Sequence, residues 1–99
     1  MTGSSGNGDP PERYTCHATE FYGASRAFVE ETFPRTRQIR LFDQIEACVQ
    51  LLPPDETAER LDGSTWLLVT QEGANVPEVN VFYLFQHQHV TLEAAFVDI

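Results

Sequence analysis

The three histidines, His17, His87 and His89, can move a proton near neutral pH or ligate a metal. A His-x-His pair on one strand points both imidazoles the same way, as a zinc site uses. His87 and His89 instead straddle an expected turn, and spacing fixes no third ligand, so no metal and no other cofactor is expected. His89 and Tyr83 are the two candidates for acid and base work, one through an imidazole and the other through a phenol, and each serves equally as an ordinary sheet side chain. Cys16 and Cys48 are far apart and form no C-x-x-C pair, which argues against a zinc ribbon or a redox motif and leaves reduced thiols as the expectation.

Charge narrows the chemistry further. Fifteen Asp and Glu oppose six Arg, there is no Lys, and the formal net charge is -9. Contact with a nucleic-acid backbone depends on cations that neutralise phosphates, and this surface would on average repel them. A basic protein is the more natural complement, with Glu93 and Asp98 as rim carboxylates for it. The same excess also serves solubility alone. Arg35, Arg37 and Arg40 make the one basic patch, and with Arg26 they account for four of the six arginines. The patch could contact an acidic segment of a partner. The plainer expectation is intrahelical pairing, Arg40 with Asp43 at i,i+3, worth ~0.2 to 0.5 kcal/mol.

These residues need a scaffold, and 99 residues suffice for one domain with a real core. Residues 1–12, rich in Gly and Ser and carrying Pro10-Pro11, read as a flexible tail, leaving 13–99 as a single domain. Arg13 to Thr19 alternates as a short strand with Tyr14, Cys16 and Ala18 on one side. A helix follows, with an apolar stripe expected through Phe21, Phe28 and Val29 up to Phe33. Pro34 can open a second helix over 35–52, where Ile39, Phe42, Ile45, Val49 and Leu52 recur at spacings of three and four. Pro53-Pro54 stops it, and Asp55 to Gly63 reads as a polar link.

The last third supplies the sheet. Thr65 to Thr70 is apolar on both faces like an inner strand, Val79 to Gln86 alternates, and a tight turn at His87 and Gln88 leads into Val90 to Val97. Phe82, Tyr83, Phe85 and Phe96 are expected in the core rather than as a base-stacking platform, which would need nearby cations. The order β-α-α-β-β-β gives an α+β class, an αα-hairpin packed on a mainly antiparallel sheet. No stretch approaches a membrane span and no signal peptide opens the chain, so a cytoplasmic protein without membrane contact is expected.

Over residues 13 to 98 the chain resembles the RelE/ParE superfamily of toxin-antitoxin toxins. The resemblance rests on Leu61-Asp-Gly-Ser-Thr-Trp66, Val79-Asn-Val-Phe-Tyr-Leu-Phe85 and Val90-Thr-Leu-Glu-Ala-Ala-Phe96. It implies an active toxin, either a ribosome-dependent mRNA interferase or a DNA gyrase inhibitor. The ribonuclease members meet the charge of the transition state with positioned cations. Here Leu67, Leu68 and Val69 stand where an Arg commonly follows the Trp, Val79-Asn80 where Tyr-Arg is typical, and Val97-Asp98 where Lys is usual. The expectation is therefore a non-catalytic, RelE/ParE-like interaction module for a protein partner, either an antitoxin-like peptide or a basic nucleic-acid-binding protein. An active toxin with a divergent site is the alternative.

Overall fold

The computed structural model describes residues 13–70, 73 and 75–98, so the tail expected over residues 1–12 lies outside the described residues. Among the described residues the elements run β1 (Thr15–Ala18), α1 (Glu20–Thr32), α2 (Pro34–Gln38), α3 (Leu41–Leu51), α4 (Pro54–Thr57), β2 (Glu59–Asp62), β3 (Thr65–Val69), β4 (Glu78–Gln86) and β5 (His89–Asp98). The five strands form one mixed sheet in the order β1-β5-β4-β3-β2. β1 pairs with β5 in parallel and the other neighbours are antiparallel, which is an α+β architecture. No helix among the described residues is long and apolar enough to cross a membrane.

α1 begins at Thr19, whose hydroxyl accepts from the Tyr22 amide and donates to the Glu93 carbonyl, tying the helix start to β5. Its core face is Tyr22 and Val29, both buried, whereas Phe21 and Phe28 are exposed. That takes Phe21 and Phe28 out of the expected stripe and keeps its Val29 and Phe33. The pairs 21/28 and 22/29 satisfy the same seven-residue spacing, so periodicity alone cannot choose between them. What decides is across the helix: the Tyr22 hydroxyl donates to Glu46 at 2.9 Å and Arg26 reaches the same carboxylate at 2.6 Å.

The helix expected over 35–52 is two helices. Arg40 adopts a left-handed conformation (φ 55°, ψ 45°), ending α2 and serving as N-cap of α3. The Gln44 side chain donates to the Ile39 carbonyl at 2.7 Å, satisfying an acceptor that the break exposes. Beyond it the expected stripe holds: Phe42, Ile45 and Val49 are buried. Ile39 is half-buried, and Leu52 lies outside α3 and is exposed.

The link expected over 55–63 is also structured. α4 carries Thr57, whose hydroxyl bonds the Tyr83 hydroxyl at 2.8 Å, and β2 adds an edge strand to β3. Charged side chains on a four-residue edge strand leave no apolar pattern to find, and they discourage pairing with other chains. The hairpin between β4 and β5 turns at His87 (φ 52°) and Gln88 (φ 64°), two left-handed residues that match the right-handed twist of the strands. Tyr22, Val29, Phe42, Ile45 and Val49 close on Leu68, Val79, Val81, Tyr83, Val90, Leu92 and Ala95 as one core.

Candidate functional site

Strand register divides the sheet into a covered face and an open one. Leu68 opposes Val81, which opposes Ala95, and all three are buried against the helices. The alternate positions form the other face: Leu67 opposes Phe82, and Val69 opposes Asn80, which opposes Phe96. Val69 and Phe96 are each 48% exposed, although neither is polar. Phe21 of α1 meets Phe96 with ring centroids 6.1 Å apart, and Phe96 meets Phe82 edge-on at 5.8 Å. The open face is an aromatic and aliphatic field.

Phe82 and Phe96 were expected in the core. Alternation with buried Val81 and Tyr83 turns Phe82 to the open face, and a bulge turns Phe96 there: Phe82 pairs with Ala94 and Tyr83 with Leu92, so Glu93 is the extra residue. Inward positions change from Val90 and Leu92 to Ala95 and Val97, and Phe96 changes sides. Glu93 itself sits at the bulge, half-buried, and Asp98 pairs with Glu78 at the end of β5.

The two acid-base candidates lie on opposite faces. Tyr83 is fully buried under the helices, with its hydroxyl bonded to Thr57. Burial pushes its phenol above the ordinary value. His89 is exposed at the start of β5, and its Nδ1 lies 2.6 Å from the Thr15 hydroxyl of β1. That bond ties the edge strand to β5. Leu68 and Asn80 also divide between the faces: Leu68 is core, and the open face has Leu67 and Val69 beside Asn80. Among the described residues no group of three or more His, Cys, Asp or Glu is arranged to hold a metal ion.

The arginines separate as well. Arg26 does not join the others: it bridges α1 to α3 through Glu46 at 2.6 Å and Asp43 at 3.1 Å, pairs with Glu30 of its own helix at 3.6 Å, and its guanidinium lies 5.6 Å over the Phe42 ring. Arg40 therefore does not take Asp43, the intrahelical pairing expected for it. Arg35, Arg37 and Arg40 are exposed and make no ion pair among the described residues, Arg35 only a 3.4 Å hydrogen bond to Gln38. The clamp from α1 to α3 was not legible in the sequence, because Asp43 and Glu46 lie seventeen and twenty residues from Arg26.

Burial first, and Glu46 second, hold the Tyr22 phenol far above its ordinary value. Partial burial opposes the charge on Arg26, but Glu46, Asp43 and Glu30 outweigh it and raise its pKa. Burial also pushes the Cys16 thiol up, against a hydrogen bond with Gln50 that pulls it down. A thiol held protonated is a poor nucleophile.

Around the apolar field the register sets Glu59 beside Leu67, Asp62 beside Thr65, and Glu78 two residues before Asn80 on the same side. None of these carboxylates is in an ion pair among the described residues. Arg60, the one arginine of β2, pairs with Trp66 on the other parity and donates to the Gly63 carbonyl. Such a face has apolar area to bury and negative charge at its margin, and no positioned cation for a phosphate. Comparison with protein-family models, with curated proteins and with solved structures gives no match to this chain.

Proposed function

We propose that the protein is a non-catalytic interaction module on a RelE/ParE-like scaffold, acting in the cytoplasm by binding a protein partner, either an antitoxin-like peptide or a basic nucleic-acid-binding protein. The observation that carries this reading is the open face of the sheet, where Leu67, Val69, Phe82 and Phe96 occupy a surface without an arginine among the described strand residues. Cleavage of RNA by attack of a ribose hydroxyl needs donors or cations set around a phosphate whose charge grows in the transition state. Apolar side chains supply none, and the net charge of -9 raises the cost of bringing RNA near. An apolar face half exposed to water gains free energy when a partner covers it.

The test is expression in a bacterial host, with growth and mRNA integrity followed together. Unimpaired growth with intact transcripts is expected. Growth arrest with transcripts cut within codons, abolished by His89→Ala, would restore the ribonuclease-toxin alternative; arrest with intact transcripts would point to gyrase inhibition.

A further inference from the structure

We propose that the open face, from Leu67 and Val69 across Phe82 to Phe96 and Phe21, docks a cationic amphipathic helix of a partner protein. This rests on the interaction-module reading and names the surface and the chemistry of its occupant.

The dimensions favour a helix. The apolar positions span β3, β4 and β5, two interstrand gaps of ~4.8 Å each, and so about 10 Å across, close to one helix diameter. Along the strands the open positions form three cross-strand rows, Val69 with Asn80 and Phe96, Leu67 with Phe82 and Ala94, and Thr65 with Leu84 and Thr91, so the apolar side chains are densest in the first two and reach the third through Leu84. Rows two residues apart are separated by ~6.8 Å, so the field is about 14 Å long, or roughly two and a half helical turns. The other face of this sheet is already covered by helices carrying Tyr22, Val29, Phe42, Ile45 and Val49. A helix on the open face would add a third layer of the same kind.

Charge selects among occupants. Glu59, Asp62, Glu78 and Glu93 stand at the margin, and Arg60, the one arginine of these strands, lies on the other parity and makes no ion pair with them among the described residues. A second copy of the chain would set carboxylate margin against carboxylate margin in a protein of net charge -9, which opposes self-association. An acidic helix meets the same repulsion. A helix with an aliphatic stripe flanked by Arg or Lys meets the apolar field and the margin together, and its charges speed encounter.

The experiment uses the full, isotope-labelled chain and two synthetic peptides of about 18 residues, each with Leu at helical spacing and flanked by Lys in one and by Glu in the other. The Lys peptide is expected to bind, shifting the backbone amides of Leu67, Val69, Phe82, Leu84 and Phe96, while the Glu peptide does not. Val69→Glu with Phe96→Glu is expected to weaken binding by about tenfold or more, since two apolar contacts are lost. Both sites are half exposed, so the far-ultraviolet spectrum of the double variant checks that its fold is intact. Glu59→Gln with Glu78→Gln should weaken binding severalfold and flatten its salt dependence. No binding of the Lys peptide, equal binding of both peptides, or concentration-dependent dimerisation through this face would overturn the proposal. Shifts confined to Arg35, Arg37 and Arg40 would overturn it too, while leaving the interaction-module reading in place. Cleavage of mRNA by the same preparation would instead remove that reading, and the proposal with it.

Discussion

Replacing Phe42 by Ala removes the ring at the centre of the helix layer. Phe42 is fully buried, meets Tyr22 edge-on with centroids 6.3 Å apart, and lies 5.6 Å beneath the Arg26 guanidinium. Truncation of a buried Phe costs ~3 to 5 kcal/mol through lost transfer energy and the cavity left behind. The cation above the ring puts Phe42 toward the upper end, since that contact adds ~0.5 to 1 kcal/mol of its own. A domain of this size is held by ~5 to 15 kcal/mol in all, so the variant should lose about a quarter of its stability or more. Urea unfolding followed by circular dichroism should show a lower midpoint with an unchanged slope. Each kcal/mol lost should lower the thermal midpoint by ~4 to 8 °C. Phe42→Leu, which keeps most of the volume, should cost under about 1.5 kcal/mol. A loss below ~1 kcal/mol for Phe42→Ala would refute the packing of α3 on the sheet through this residue.

Stability should fall as pH rises above about 10, because Tyr22 is held protonated in the fold and ionises in the unfolded chain, a slope of ~1.4 kcal/mol per pH unit seen in urea midpoints across that range. The raised phenol contributes its stability fully below the unfolded pKa, so Tyr22→Phe should flatten the alkaline limb. At the β4–β5 hairpin, His87→Asn with Gln88→Gly suits two left-handed residues and should raise stability by about 1 kcal/mol, read as a higher thermal midpoint. Arg26→Met removes a donor from partly buried Glu46 and should cost ~1 to 3 kcal/mol, with less sensitivity to salt than an exposed pair shows.

How much of this was legible varies with the kind of signal. β4 alternates strictly, and Val79, Val81 and Tyr83 are buried as that alternation implies. Two left-handed residues at His87 and Gln88 fell where the strand patterns left only room for a tight turn. The break at Arg40 was hidden because the apolar spacing runs on across it, with no Gly or Asn to announce a left-handed residue. For the site, Thr65 to Val69 is apolar throughout, so which of Leu67 and Leu68 faces the helices depends on pairing with β4, a long-range fact. Phe96 was misassigned for a different reason, since one bulge at Glu93 inverts the parity of everything after it. The acidic balance, by contrast, is a composition property and needed no fold to be read.

On the proposed reading this open face binds and does not cut. That reading is tested most directly by primer extension on an mRNA translated in a reconstituted ribosomal system, with the purified full chain added in excess over ribosomes. A full-length message identical to that without the protein is expected, because Leu67, Val69 and Phe96 stand on the exposed sheet face and offer no cation to a phosphate. Ribosome-dependent cuts that vanish with His89→Ala would contradict the reading.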